Sequence, residues 1–338
     1  MPAPRNVIAV LKFTSVSLFL LLFAQLVILP LAAQTSVNDV HIVPRQTAPS
    51  NSLQIASNSG LHVIKTDVKL VLVPVSVTDP MSRFVTGLSQ ENFEVFEDKK
   101  PQTIRNFSSE DVPISVGIIL DSSGSMTDKL DRVRDAVNEF CDAANPEDEF
   151  FMISFSDAPR LAVDFTTSTD DVKKELLFLR PKGRTSLLDA IRMGLEKMKN
   201  ARYGKKALLI ISDGGDNHSR YGEKEVRSLA KESDVMIYSI GMFDRYVPTL
   251  EEARGPALLS ELAEPTGGQA FTLENPNEMP SVARHIGLEL RTQYVLAYRP
   301  QSSAHDGKFR KIRVKLKLPR RFTFLQAHAR SGYYASSE

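Results

Sequence analysis

Short apolar runs alternate with helical stripes through the middle of the chain. Ile114-Ser115-Val116-Gly117-Ile118-Ile119-Leu120 is β-branched and apolar on both faces, and residues 150–155, 207–212 and 235–241 read the same way, which predicts buried strands. Between these runs apolar residues recur at helical spacing over 170–179, 186–199, 223–232 and 256–263. Leu130, Val133, Val137, Phe140, Cys141 and Ala144 mark one stripe of a further helix starting near Asp128. Thr266-Gly267-Gly268 reads as a helix stop and a turn into the last strand. Strand and helix in alternation imply right-handed crossovers. The predicted core is therefore a doubly wound, mostly parallel α/β sheet with helices on both faces.

The flanks follow a different period. Val68, Leu70 and Leu72 alternate with polar or small residues before the pattern shifts near Pro74, which predicts an edge strand. Asp79-Pro80 starts a turn, and Val85-Thr86-Gly87-Leu88 with residues 93–98 and 103–107 continue as short strands and turns. Residues 293–298, 309–318 and 322–325 repeat this character near the other end. Each piece is too small to bury a core alone. Pairing the two into one small β-sandwich, with the α/β region inserted between them, satisfies both. The expected organisation is 1–33 signal segment, 34–66 linker, 67–111 first sandwich part, 112–290 α/β domain and 291–338 second sandwich part with a tail.

Composition changes this picture at the N-terminus. Arg5 and Lys12 precede an uncharged apolar run over residues 13–31, and Ala32-Ala33-Gln34 follows, the pattern of a cleaved signal peptide; the alternative is an uncleaved membrane anchor. Either places the rest outside the cytoplasm, secreted, periplasmic or at the cell surface. Residues 34–65 are rich in Ser, Asn, Gln and Thr with little periodicity, as in a flexible tether. Cys141 is the only cysteine, so no internal disulfide can form, and its place on a helical stripe makes it a small buried hydrophobe.

A net charge of +1 argues against bulk nucleic-acid binding, but the charge is uneven. Residues 112–290 are acidic, whereas beyond them Lys311, Arg313, Lys315 and Lys317 alternate with Ile312, Val314, Leu316 and Leu318. That stripe is either the solvated face of a half-buried strand or a docking stripe for an acidic surface.

Candidate chemistry gathers at strand ends. Asp121-Ser122-Ser123-Gly124-Ser125 closes the first buried run, Gly183-Arg184-Thr185-Ser186 precedes a helix, and Ser212-Asp213-Gly214-Gly215-Asp216 closes a later strand. Open sheets bind ligands just past the carboxyl ends of such strands. Oxygen donors of low total charge suit a hard divalent cation that keeps waters or a partner's oxygen. Taken singly, these residues are also ordinary turn formers and helix caps. Enzyme signatures are missing: there is no phosphate-binding Gly-x-x-x-x-Gly-Lys-Ser/Thr loop, no Gly-x-Gly-x-x-Gly, no His-Glu-x-x-His and no Gly-x-Ser-x-Gly around Ser123. Asp213 and Asp216 could form an acid–base pair; in the plainer reading only Asp213 faces a ligand.

Asp-x-Ser-x-Ser, a loop Thr and a strand-terminal Ser-Asp-Gly, in that order, resemble the metal-ion-dependent adhesion site of the von Willebrand factor type A family. The resemblance covers about residues 112–290. It implies that Asp121, Ser123, Ser125, Thr185 and Asp213 hold Mg²⁺ (or Mn²⁺) directly or through water, leaving one position for a carboxylate of a protein ligand. With the N-terminal segment and the near-zero net charge, the expectation is an exported, non-enzymatic adhesion protein with no nucleic-acid partner, or one tethered to a membrane through that segment. The alternatives are a structural or envelope-assembly factor in which the ion only stabilises the fold, and a hydrolase. One departure is visible: many members have two glycines before the loop Thr, where this chain has Lys182-Gly183-Arg184, a more cationic rim.

Overall fold

The computed structural model describes residues 70–213, 215–243, 250–301, 306–319 and 324–335. The expected signal segment and linker lie outside the described residues. Among the described residues no helix is long and apolar enough to cross a membrane.

Four strands come first: β1 (Val71–Thr78), β2 (Phe93–Glu97), β3 (Lys100–Gln102) and β4 (Ile104–Ser108). The α/β region runs through β5 (Ser115–Asp121), α1 (Leu130–Asp142), β6 (Glu149–Phe155), β7 (Pro159–Thr166), α2 (Thr169–Leu176), α3 (Leu187–Lys197) and β8 (Lys206–Ser212). It continues through α4 (Glu223–Glu232), β9 (Met236–Met242), α5 (Leu250–Ala263), β10 (Ala270–Leu273) and α6 (Met279–Thr292). The chain then adds β11 (Tyr294–Tyr298), β12 (Phe309–Leu316), β13 (Gln326–Ala329) and β14 (Gly332–Tyr334).

The central sheet has the order β10-β9-β8-β5-β6-β7 and is parallel except for the β6–β7 pair. Strand β5 is buried at every position because its alternate side chains enter two cores. Val116, Ile118 and Leu120 join Val133, Val137 and Phe140 of α1 and Ala283 and Ile286 of α6 on one face. Ile119 joins Leu187 and Ile191 of α3, Val226 of α4 and Leu259 of α5 on the other. Gly117 is required by this packing: a Cβ there would lie 2.3 Å from the Phe151 ring.

Two antiparallel sheets complete the fold, and each mixes strands from both ends of the chain. Their orders are β13-β1-β11-β4 and β14-β12-β2-β3. Val73, Val75, Phe93, Val95, Tyr294, Leu296, Tyr298 and Ile312 form the core between them. Buried Glu97 accepts hydrogen bonds from Tyr298 (2.7 Å) and Tyr333 (2.9 Å), and burial above all, then those bonds and the Glu97 charge, hold both phenols well above their ordinary range.

The sandwich is fastened to the α/β sheet where α6 runs into β11. Buried Glu289 accepts from Ser76 Oγ (2.6 Å) and Tyr238 OH (2.9 Å), and Gln293 Nε2 reaches the same Ser76 and Tyr238 oxygens at 3.2 and 3.1 Å. The carboxylate is thus hydrogen-bonded rather than left bare in the interior, which would be costly.

Several elements differ from the sequence expectation, and the strand expected over 322–325 is found instead as β13 at Gln326–Ala329, with Phe324 in a turn. β1 is an interior strand, not an edge: β11 pairs with Val71–Val75 and β13 with Val75–Thr78. Pro74 is tolerated because it sits where β13 has not yet begun, so its missing N–H interrupts no ladder on that side. Strand β7 has no clean period because as an edge strand it is only partly covered on either face. Helix α2 ends at Leu176; Leu177 and Phe178, counted in the expected helix, are exposed.

Candidate functional site

The chain leaves β5 for β6 on one side, while β8 flanks β5 on the other. A crevice at such a reversal of strand order is where an open α/β sheet binds its ligand. Asp121 ends β5 and Ser212 ends β8, so the sheet itself brings both to the crevice. The Asp121 carboxylate is buried, and one oxygen accepts from the Ser123 backbone N–H (2.8 Å), the other from Ser212 Oγ (2.6 Å). A single 3₁₀ turn over Gly124–Met126 follows, anchored by the buried Met126 side chain. Within it Ser125 Oγ comes to 3.0 Å from Ser123 Oγ.

A second loop lies directly on this turn. Lys182 N–H donates to Ser122 O (2.9 Å), and Gly124 N–H donates to Gly183 O (3.1 Å). Thr185, two residues on, is buried and held by its backbone: its N–H donates to Asn217 Oδ1 (3.0 Å), and its carbonyl accepts from the N–H groups of Asn217 and His218 (3.1 and 3.0 Å). The loop after β8 thereby clamps the loop before α3.

Of the five residues picked from the sequence, Asp121, Ser123 and Ser125 form one hydrogen-bonded cluster. Asp213 is buried and close enough for its charge to act on Asp121, while Thr185 joins through the backbone contacts of its loop. Burial above all, and then the Asp213 charge, push the Asp121 carboxyl up to about 6, against the opposing pull of the Ser123 and Ser212 hydrogen bonds. Two carboxylates in a shared buried crevice call for positive charge. Part of it comes from Lys129, whose Nζ lies 3.2 Å from Asp213 Oδ2.

Asp216 has a different job from Asp213. Its Oδ1 accepts from Ser219 Oγ (2.6 Å) and from the Leu188 N–H (3.4 Å) in the first turn of α3, so it caps that helix from another part of the chain. Burial holds its carboxyl above the ordinary range. Sequence reading missed this role, along with those of Lys129, Ser212 and Asn217. A hint existed for one of them, since Ser212 is a hydroxyl at the end of an otherwise apolar strand.

The donor set fits a hard divalent cation. It offers two carboxylates and several hydroxyls on short, well-anchored loops, and Ser186 Oγ beside Thr185 is buried with no hydrogen-bond partner. Among the described residues no three His, Cys, Asp or Glu side chains cluster as a metal cage, so hydroxyl oxygens would have to share the coordination.

Fold and crevice together define an open α/β domain with a polar crevice at the switch point of its sheet. Residues 116–215 match the von Willebrand factor type A domain family. An uncharacterized protein of Borreliella burgdorferi is 23% identical over 182 residues, 47% of this chain and 53% of that protein. Inter-alpha-trypsin inhibitor heavy chain H4 of Bos taurus is 28% identical over 117 residues, 31% of this chain and 13% of that protein. The chain thus spans about half the length of one relative and a small part of the other. Among solved structures, a von Willebrand factor type A protein from Catenulispora acidiphila is 10% identical with a TM-score of 0.48, covering 80% of this chain and 74% of that one. The vWF domain of the type V pili tip protein Mfa5 from Porphyromonas gingivalis is 14% identical with a TM-score of 0.43, covering 53% and 95%. Likeness at this level assigns neither ligand nor activity.

Proposed function

We propose that this protein is an exported, metal-dependent binding protein whose type A domain holds Mg²⁺ or Mn²⁺ and captures a carboxylate of a protein partner. Asp121, Ser123, Ser125, Thr185 and Asp213 would hold the ion, which would supply a Lewis-acid position for an incoming oxygen. The observation that carries the reading is the pair of buried, mutually repelling carboxylates, Asp121 and Asp213, beside the Ser123–Ser125 hydroxyl pair. Export is supported by the apolar N-terminal run behind Arg5 and Lys12. A non-enzymatic role is supported by a family match that indicates no catalytic family and by the absence of hydrolase and nucleotide-binding signatures from the sequence.

One observation favours the second reading, in which the ion serves stability or assembly alone: Lys129 already gives Asp213 a cation. Titration calorimetry and thermal unfolding separate the possibilities. A ligand of the folded state raises its stability by RT ln(1 + [L]/Kd), so Mg²⁺ is expected to raise Tm and a chelator to reverse the rise. Asp121→Ala, Thr185→Ala and Asp213→Ala are expected to abolish that shift. Undiminished Mg²⁺ binding in the Asp121→Ala and Asp213→Ala proteins would refute the site. A Tm shift with no chelator-sensitive capture of a carboxylate-bearing partner would leave only the stabilising role.

A further inference from the structure

We infer that the Lys182-Gly183-Arg184 loop is a cationic collar on the mouth of this site, selecting acidic polypeptide segments with several carboxylates close together, and that Arg184 sets the preference. The inference rests on the capture reading and deepens it.

The loop is built to hold its charges in place. Gly183 has a φ of +80°, and a Cβ there would lie 2.6 Å from Asp157 Oδ2, so the turn admits only glycine without rearrangement. Asp157 Oδ1 accepts the Arg184 backbone N–H at 2.9 Å. That bond, with Gly183 O on Gly124 N–H, fixes the turn directly over the Asp121–Ser125 segment. The side chains are left outward: Lys182 and Arg184 are exposed, and among the described residues neither is ion-paired. Arg184 Nη1 instead donates to His218 Nδ1 at 3.3 Å, and the His218 backbone is itself bonded to Thr185 O. The guanidinium is therefore oriented by the clamp around Thr185 and keeps its remaining donors for a ligand.

A ligand with a single carboxylate would use that group at the ion and gain nothing from the collar. A neighbouring carboxylate on the same segment would meet Arg184, whose planar fork matches a carboxylate in two hydrogen bonds, and Lys182 would add charge of the same sign. Such exposed pairs act modestly and are screened by salt. Together they are expected to give roughly a tenfold preference, most of it lost at high ionic strength.

The test uses the full chain and two labelled peptides of equal length, one of consecutive aspartates and one with a single aspartate among asparagines. Anisotropy is read with Mg²⁺ and with EDTA, and Mg²⁺ affinity is measured separately by calorimetry. The all-aspartate peptide is expected to bind about tenfold tighter in Mg²⁺. Arg184→Glu is expected to bring the two peptides to parity and Arg184→Gln to close part of the gap, both with Mg²⁺ affinity within about threefold of the unaltered protein because the exposed side chain is screened. Equal binding of the two peptides to the unaltered protein, or a preference that survives Arg184→Glu, would overturn the collar. A preference that persists in EDTA and vanishes in Arg184→Glu would uphold the collar and refute metal-dependent capture.

Discussion

Lys129 places its ammonium 3.2 Å from Asp213 Oδ2 although 84 residues separate the two in sequence. The pair joins the start of α1 to the end of β8 across the crevice and is only partly exposed at the lysine. A divalent ion held as proposed would compete with this tethered cation for the same carboxylate. Removing the ammonium as Lys129→Met takes away both the competitor and the local repulsion, which at a partly buried site is worth on the order of 1 kcal/mol. The variant is expected to bind Mg²⁺ about tenfold more tightly by calorimetry. Without Mg²⁺ it is expected to melt below the unaltered protein, since Asp121 and Asp213 lose their nearby cation. An unchanged affinity would show that Lys129 is indifferent to the ion.

Asp216 separates capping from binding. Its Oδ1 accepts from the Leu188 N–H at the start of α3 and from Ser219 Oγ. Loss of a helix cap costs roughly 0.5–2 kcal/mol. Asp216→Ala is therefore expected to lower the unfolding free energy by about 1 kcal/mol in denaturant titration while leaving Mg²⁺ affinity within about twofold. Asp213→Ala is expected to do the reverse. Loss of Mg²⁺ binding in Asp216→Ala with unchanged stability would exchange the two roles.

The central sheet was legible because its strands are apolar on both faces and its helices carry a single stripe, so period alone separates them. The gathering of Asp121, Ser123 and Ser125 into one polar cluster was legible for a related reason, since they follow directly on a buried strand whose end opens onto the crevice. What stayed hidden depends on who lies beside whom. Pro74 suggested an edge until β11 and the offset of β13 supplied neighbours. The contacts Lys129–Asp213, Asp216–Leu188 and Ser76–Glu289 all span distances in sequence that no local pattern records. Helix α6 carries an amphipathic stripe of Met279, Ala283, Ile286 and Leu290 that the strand-centred reading passed over.

Cys141 sits on the buried face of α1, and burial pushes its thiol up to about 12. Only the thiolate reacts readily, so at pH 8 the native protein offers both little access and little nucleophile. A colorimetric thiol reagent is expected to label Cys141 orders of magnitude more slowly in native protein than in denaturant. Fast native labelling would mean that the α1 stripe opens to solvent.

Lys205 is buried where the α/β sheet meets α6, its Nζ donating to Leu290 O. Burial chiefly, and the nearby Arg291 charge, pull its ammonium down from 10.5 to about 8. The sign follows from proton counting. Below pH 8 both states hold the proton and the folded state bears the full cost of a buried charge. Between pH 8 and 10.5 the unfolded chain keeps a proton that the folded protein has lost, so this group makes stability rise with pH. Cys141 and the buried tyrosines act in the opposite sense at alkaline pH, because their native values are raised and the unfolded chain loses its protons first. The contribution of Lys205 is therefore read as a difference. The stability of Lys205→Met minus that of the unaltered protein is expected to be most positive near pH 7 and to fall by on the order of 3 kcal/mol by pH 10.5. Loss of the bond to Leu290 O shifts that difference by about 1 kcal/mol at every pH and leaves its slope untouched. Denaturant titrations at intervals across this range give the slope directly, and a flat difference would place the Lys205 ammonium in contact with water.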